Sequence, residues 1–251
     1  MAEKNPQIFI QAISIHPYRK DALERLEYWA QKGSKLIKWL PNAQGIDPAN
    51  PKLVPFYKKV KQLGMAILTH SGDEKAVESE DDQKLGNPLL LRLPLNLGVK
   101  IIVAHCASLG KNIDLEDPNK AEKANYQLFL RLLNDPKYND NLYGELSAIT
   151  LVTRIPEPLH TVLKSSNLHS RLVNGSDYPI PAINALIHTG EFVEMGMLSE
   201  REQKYINEIY QFNPILFDFV LKRTLKDPTS KQKFADEIFT KDIFASHKVK
   251  K

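Results

Sequence analysis

Short apolar runs that alternate with amphipathic stretches constrain the fold of this 251-residue chain more than any other feature. The runs are too short for buried helices, and they lack the strict alternation of a half-exposed sheet. Near-continuous apolar character is typical of strands that are covered on both faces. The predicted strands are Ile8–Ile13, Leu36–Leu40, Met65–Thr69, Lys100–Ala104, Leu142–Leu146 and Arg171–Asn174.

Helical patterns fill the intervals between these runs. In three of them a glycine (Gly33, Gly64 or Gly98) follows the last periodic residue and directly precedes the next strand, which is a common way to end a helix. The predicted helices of this part are residues 21–32, 51–63, 89–97 and 121–133, with an inserted loop at 108–119. Alternating strands and helices predict a parallel sheet with right-handed crossovers.

After Asp177 the pattern becomes wholly helical. The predicted helices there are residues 182–189, 199–210, 214–225 and 231–239. The six strands are compatible with an open doubly wound sheet or with a barrel that lacks its first two βα units. No glycine-rich phosphate loop follows any strand, which disfavours a dinucleotide-binding open sheet.

Composition excludes several other classes of protein. A single cysteine, Cys106, rules out an intramolecular disulfide framework and suits a reducing compartment. The net charge of +4 comes largely from lysines near the C-terminus and does not indicate nucleic-acid binding. No apolar run approaches the roughly 20 residues that cross a bilayer, and residues 1–6 lack a signal-peptide pattern. We expect a cytoplasmic protein with no membrane or nucleic-acid partner.

Polar side chains that can act in catalysis lie at the carboxyl ends of the predicted strands. His70 ends the third strand, His105 the fourth, and Asp177 follows the sixth, while Glu145 lies late in the fifth and Lys38 lies within the second. In a parallel barrel these strand ends meet at one rim, the site of catalysis in that fold. A single histidine after a strand is usually structural, but two at the same register weaken that explanation.

The residue types suggest metal-assisted hydrolysis. Neutral imidazole and carboxylate groups suit Zn²⁺ or a similar divalent ion. Such an ion lowers the pKa of bound water towards about 7, and a carboxylate beside it can accept the proton. Asp177 alone is also compatible with a turn cap, and Lys38 with a lysine that reaches solvent along its stem.

Several motifs resemble the amidohydrolase superfamily, and most closely the amidohydrolase 2 group of TIM-barrel metal-dependent hydrolases and decarboxylases. Residues 69–74 (Thr-His-Ser-Gly-Asp-Glu), 104–107 (Ala-His-Cys-Ala) and 175–179 (Gly-Ser-Asp-Tyr-Pro) are similar to that family's fifth, sixth and eighth strand motifs. Residues 14–19 and 36–41 look like its third and fourth strands, and residues 213–217 like its closing helix. The resemblance covers residues 8–222.

The resemblance implies a role for each matching residue. His70 would be a metal ligand, and His105 a ligand or a group that polarises the substrate. Asp177 would be both ligand and general base. Lys38 falls where some members carry a carboxylated bridging lysine, and Glu145 occupies the seventh-strand place without a firm role.

One departure from the family pattern affects the metal prediction. The family's first strand supplies His-x-His, and this chain contains no such motif. Similar lactone hydrolases are thought to act without a metal. A barrel without two strands would also have open edges, which favours self-association.

We therefore predict an α/β fold: a (β/α)₈ TIM-type barrel, incomplete at its start, in a single domain over residues 1–251. Barrel motifs would span about 8–222 and a helical extension about 223–251. The predicted activity is hydrolysis of a C–N, ester or lactone bond in a small polar substrate, with a divalent cation such as Zn²⁺. Lys38, Arg19 or Arg154 would hold a substrate carboxylate. The alternatives are a catalytically inactive barrel that serves as a scaffold, and a decarboxylase.

Overall fold

Six parallel strands form the central sheet of the computed structural model, which describes residues 4–5, 8–77 and 80–244. The strands are β1 (Ala12–Ile13), β2 (Leu36–Trp39), β3 (Ala66–Thr69), β4 (Lys100–Val103), β7 (Leu142–Glu145) and β8 (Leu172–Val173). They pair in the order β1-β2-β3-β4-β7-β8, all parallel. A separate antiparallel pair, β5 (Lys111–Ile113) and β6 (Glu122–Ala124), lies within the inserted loop.

Helices connect the strands as the alternating pattern predicts. They are α1 (Ala22–Gln31), α2 (Pro41–Gln44), α3 (Val54–Gln62), α4 (Arg92–Asn96), α5 (Asn125–Leu133), α6 (Glu157–Lys164), α7 (Thr189–Glu194), α8 (Glu200–Tyr210) and α9 (Pro214–Thr224). Gly33 and Gly64 have φ angles of 87° and 65°, so both take the left-handed conformation that ends a helix. α8 begins at a capping box made by Ser199 and Glu202.

The predicted α/β class is confirmed, and so is the parallel sheet. Because sequential strands are neighbours in the sheet, the order is that of a barrel segment, not of a doubly wound sheet. Among the described residues, no ladder of hydrogen bonds joins β1 to β8, so strand pairing does not close the sheet there. Within those residues, no helix is long and apolar enough to cross a membrane.

Three of the predicted elements differ markedly from the structure in type or extent. The first strand is confined to Ala12–Ile13, and Ile8, Phe9 and Ile10 before it are exposed. The helix predicted over 121–133 begins only at Asn125, because residues 122–124 pair with β5 instead. The helix predicted over 182–189 is wrong: two 3₁₀ turns at Ile180–Ala182 and Asn184–Leu186 precede α7.

The predicted helical C-terminal extension is also wrong for its described part, residues 225–244. Asp227 accepts hydrogen bonds from the backbone of Thr229 and Ser230 through its carboxylate, which bends the chain into a turn. Lys226 and Lys233 then form a short antiparallel bridge, and only Asp236–Phe239 makes a 3₁₀ turn. Residues 245–251 lie outside the described part of the chain.

Candidate active site

The three side chains that sequence analysis placed at a common rim come together at the carboxyl ends of the strands. Nε2 of His105 lies 3.8 Å from Oδ2 of Asp177. The rings of His70 and His105 have centroids 5.4 Å apart and meet edge to face. Both imidazoles are buried, whereas the Asp177 side chain keeps 43% of its surface exposed. The rim therefore joins two buried rings to a carboxylate that faces the cavity.

Ser147 determines which nitrogen of His105 carries the proton. Nδ1 of His105 lies 3.0 Å from the backbone oxygen of Ser147 and 2.7 Å from its hydroxyl oxygen. A carbonyl oxygen only accepts, so Nδ1–H is the donor in the neutral ring. Nε2 then carries the lone pair, and that lone pair faces Asp177.

Glu145 fixes the position of Ser147, and with it the ring of His105, through hydrogen bonds. Its Oε1 accepts from the Ser147 amide at 2.8 Å, and its Oε2 accepts from the Ser147 hydroxyl at 2.5 Å and from the His105 amide at 3.3 Å. Because Glu145 is buried and fully engaged with donors, its role in the structure is to fix Ser147 and the start of the turn at His105.

A left-handed turn directly after β4 aims the His105 ring. His105, Cys106 and Ala107 have φ angles of 57°, 50° and 51°, a region that residues other than glycine seldom occupy. Cys106 is fully buried and donates from Sγ to the backbone oxygen of Glu145 at 3.6 Å. The packing around these three residues compensates for the strain of their left-handed backbone conformation.

His70 offers neither ring nitrogen freely to a ligand. Its Nε2 lies 3.1 Å from the backbone oxygen of Asp73, and its Nδ1 lies 3.4 Å from Oε2 of Glu74. Glu74 is buried as well. The neutral ring donates to one of these two acceptors, and the contacts with Asp73 and Glu74 hold His70 in place beside His105.

Two cations line the same region. Arg154 is 7% exposed, donates from Nη1 to the Ser108 hydroxyl at 2.7 Å, and its Nε has no hydrogen-bond partner among the described residues. Lys38 lies in the inner layer of the sheet, opposite Leu68 of β3. Arg19 does not join them, because it is exposed and pairs with Asp21.

Burial governs the ionisation of these groups. Desolvation, followed by the positive charge of Arg154, lowers the pKa of His105 well below its usual value. Desolvation also lowers the pKa of His70, against the opposing charge of Glu74. The pKa of Lys38 is lowered by burial, although Glu145 and Asp177 oppose that shift. At neutral pH both imidazoles are therefore uncharged.

A buried ion pair between Lys222 and Asp218 anchors the loop that carries Asp177. Nζ of Lys222 donates to the backbone oxygen of Gly175 and to Oδ2 of Asp218, both at 2.7 Å. Lys222 and Asp218 are 0% and 1% exposed. A Cβ atom at Gly175 would collide with the Glu145 carboxylate, so this position requires glycine.

These residues do not fit a three-ligand metal site as they are placed. Over residues 4–5, 8–77 and 80–244, no group of three His, Cys, Asp or Glu side chains is arranged to hold a metal ion. His105 and Asp177 alone have a spacing that two ligands of one ion would show, but His70 would have to turn away from Asp73 and Glu74. The other histidines among the described residues lie elsewhere: His16 contacts Gln44, His160 contacts Asp227, His169 contacts Val162 and His188 contacts Glu191.

A cavity of about 360 Å³ opens at the rim. His105, Glu145, Ser147 and Asp177 line one end of it together with Lys38. The volume lies within the range of small-molecule sites. The chain thus presents a pocket in which a lone pair and a carboxylate share one end.

Comparison with known proteins adds two solved structures. The chain is similar in backbone structure to both of them. One is a candidate 2-pyrone-4,6-dicarboxylic acid hydrolase from Pseudomonas putida, with 15% identity, a TM-score of 0.49, and coverage of 91% of this chain and 72% of that one. The other is 5-carboxyvanillate decarboxylase from Sphingomonas paucimobilis, with 14% identity, a TM-score of 0.43, and coverage of 71% and 59%.

No family model matches the sequence, and no curated protein matches it. At these identities the activities of the two enzymes are not transferred to this chain, and the chemistry has to be argued from the site itself.

Sequence reasoning missed several residues of the site. Ser147 has a place in the sequence next to Glu145, but no motif marks its contact with His105. Lys222 and Asp218 look like an ordinary i,i+4 pair on a surface helix, and only the tertiary packing of α9, with the contact of Lys222 to Gly175, shows that they are buried. Glu74 belongs to the motif of residues 69–74, but the sequence assigns it no role of its own.

Proposed function

We propose that this chain is a hydrolase that uses water to cleave a C–N, ester or lactone bond of a small substrate. The observation that carries the proposal is the pair of proton acceptors at the rim, Nε2 of His105 and Oδ2 of Asp177, 3.8 Å apart. A water molecule at hydrogen-bond distance from both would donate one proton to each acceptor. Its oxygen lone pairs would then point towards the cavity.

Hydrolysis follows from this arrangement in two steps. The water oxygen attacks the carbonyl carbon while Asp177 or His105 takes a proton, and the carbonyl π electrons move to the oxygen. When the tetrahedral intermediate collapses, the same proton passes to the leaving nitrogen or oxygen. The carbonyl group re-forms as the C–N or C–O bond breaks, which gives an acid with an amine or alcohol, or a single hydroxy acid from a lactone, and in each case the products contain the atoms of the substrate and of one water.

Lys38 and Arg154 would stabilise negative charge during this reaction. Both cations lie near the carboxylates of the rim, whose charges raise the pKa values of the two side chains against the effect of burial. In a site that excludes water, such charges act more strongly on a developing oxyanion than they would in solution. A substrate that carries a carboxylate would be oriented by the same two side chains.

A divalent cation, Zn²⁺ by preference, remains a prediction of the family resemblance. His105 and Asp177 would supply two ligands, and a bound ion would supply a more acidic water. No step above is assigned to it, because both ring nitrogens of His70 face protein acceptors.

Other predictions from the sequence do not depend on this reaction. A closed (β/α)₈ barrel in this chain would require the edges of β1 and β8 to be joined or covered. We retain the predictions of a small-molecule partner, self-association through open strand edges, and a cytoplasmic location.

Turnover in water labelled with heavy oxygen tests the proposal. The substrates would be p-nitrophenyl acetate, δ-valerolactone and N-acetylglycine, and mass spectrometry would follow label in the product acid. We expect turnover of at least one compound, with one labelled oxygen per acid. Release of CO₂ from a carboxylated aromatic acid without label uptake would favour the decarboxylase. No turnover of any compound would favour the inactive scaffold.

A further inference from the structure

The two faces of the sheet are covered to different degrees. Ile37, Ile67 and Ile101 point outward to the helices and are 0%, 1% and 1% exposed. The inward layer includes Leu36 and Leu68, and both are only half-buried. The inside of a barrel is normally filled by layers of packed side chains. Here Leu36 and Leu68 keep accessible apolar surface, whereas Ala66 and Ile102 of the same face are buried.

This inner face forms the lower part of the cavity at the rim. Leu36, Leu68, Ile102 and Val173 line the same cavity as His105 and Asp177. Leu68 pairs in register with Ile102, and Leu36 lies one inward layer below Lys38. From Leu36 to the rim is about four residues, or roughly 13 Å at about 3.3 Å per residue. The cavity therefore extends below the rim along these apolar side chains, while Lys241 and Asp242 of the C-terminal segment add charged groups to its lining.

The C-terminal strap, residues 241–244, closes this cavity on the side opposite the sheet. Lys241, Asp242, Ile243 and Phe244 all line it. Nζ of Lys100 donates to the backbone oxygen of Ile243 at 2.5 Å, and the Phe244 amide donates to Oδ1 of Asp242 at 2.8 Å. Upstream, the Asn174 amide donates to the backbone oxygen of the buried Ile238 at 3.0 Å, which ties the chain that leads to the strap to β8.

We infer that the cavity between the inner face of the sheet and the C-terminal strap is a subsite for an unbranched hydrocarbon chain of the substrate. The subsite deepens the proposed function and rests on it for the reaction: the bond to be cleaved lies at His105 and Asp177, and the chain extends past Leu68 towards Leu36. The substrate class is then an ester, lactone or amide with an alkyl or acyl tail. Ile243 and Phe244 determine the tail length that fits.

Binding of primary alcohols tests the subsite without any turnover. Ethanol, butanol, hexanol and octanol are titrated into the full-length protein, and dissociation constants are measured by NMR. A hydroxyl group can donate to His105 or Asp177, and only the tail differs along the series. We expect affinity to rise about fourfold per methylene from ethanol to hexanol, as burial of a CH₂ group predicts.

Filling the cavity should shorten the tail that fits. We expect Ile243→Trp to weaken hexanol binding at least tenfold and to leave ethanol binding unchanged. Ile215→Trp, at an exposed position of α9, is the matched control and should behave as the unmodified chain does. If Ile243→Trp does not fold by circular dichroism, Leu68→Phe fills the same cavity from the sheet side with the same expected result.

The outcomes separate the subsite from the reaction. Affinity that is independent of chain length, or equal hexanol binding in Ile243→Trp and Ile215→Trp, overturns the subsite. A chain that binds hexanol as expected and hydrolyses none of the test substrates keeps the subsite and loses the proposed hydrolysis. The opposite pattern keeps the hydrolysis and removes the subsite.

Discussion

Nδ1 of His105 and the backbone oxygen of Ser147 lie 3.0 Å apart, and this contact fixes the neutral tautomer of the ring. The lone pair of Nε2 is thereby directed to Asp177. A backbone acceptor cannot be lost by substitution of the serine side chain, so the tautomer depends on the course of the chain after β7. The direction of the Nε2 lone pair is therefore determined by the course of the backbone, not by the serine side chain.

Replacement of Glu145 by Gln should destabilise the chain. The amide nitrogen of Gln would face a donor, either the Ser147 amide or the His105 amide, where the carboxylate accepts from both. We expect a loss of about 1–3 kcal/mol in the free energy of unfolding, measured by urea denaturation. Glu208→Gln, at an exposed position of α8, is the control; a loss no larger than its own would remove the structural role of Glu145.

Stability should fall when the pH drops below the usual range of histidine. The pKa values of His70 and His105 are lowered by burial in the folded state, whereas in the unfolded chain both titrate near about 6.5. Below that value the unfolded state binds more protons, so protonation favours unfolding. We expect the free energy of unfolding to decrease between about pH 7 and pH 5.

The control for this pH dependence is the double variant His70→Gln and His105→Gln. Its free energy of unfolding should change less over the same interval, because the two titrating rings are gone. An unchanged slope in urea titrations would show that other groups cause the dependence.

Removal of Lys222 should cost far more than removal of a surface lysine. Lys222→Met leaves the Asp218 carboxylate buried without its cation and frees the backbone oxygen of Gly175. We expect a loss of about 3–5 kcal/mol in the free energy of unfolding. The double variant Lys222→Met and Asp218→Leu should recover most of that loss. If the single and double variants are equally unstable, the ion pair is not the source of the effect.

Metal removal tests the role of His70. Because its two nitrogens face Asp73 and Glu74, we expect chain dialysed against a chelator to retain its activity. Metal analysis of the purified protein by mass spectrometry accompanies the assay. Loss of activity on chelation, with recovery on addition of Zn²⁺, would contradict this expectation and support the zinc prediction from the family resemblance.

Much of the fold could be predicted from the sequence, because strands covered on both faces have a distinctive composition. The positions of His70, His105 and Asp177 followed from that prediction, since parallel strands place their carboxyl ends together. The left-handed turn at His105 could not be predicted, because no glycine marks it. The non-helical course of residues 231–235 follows from the Asp227 turn, which competes with a helical pattern of similar strength.

The sequence also could not predict which face of the sheet lines a cavity. The sequence distinguishes apolar strands from polar loops, but Leu36 and Leu68 look no different from Ile37 and Ile67. Which face is packed and which lines a cavity depends on the elements that lie against it. The C-terminal strap, predicted within a helical extension, is the element that determines this here.

The most direct test of the account is the activity of Asp177→Asn. Asp177 is exposed to the cavity, so the substitution should leave the free energy of unfolding nearly unchanged. The loss of one proton acceptor should reduce kcat/KM by about 10²–10⁴ on the substrate that the unmodified chain turns over. Asp140→Asn, at an exposed position before β7, should retain full activity. Full activity in a folded Asp177→Asn variant would contradict the proposal that His105 and Asp177 together activate water.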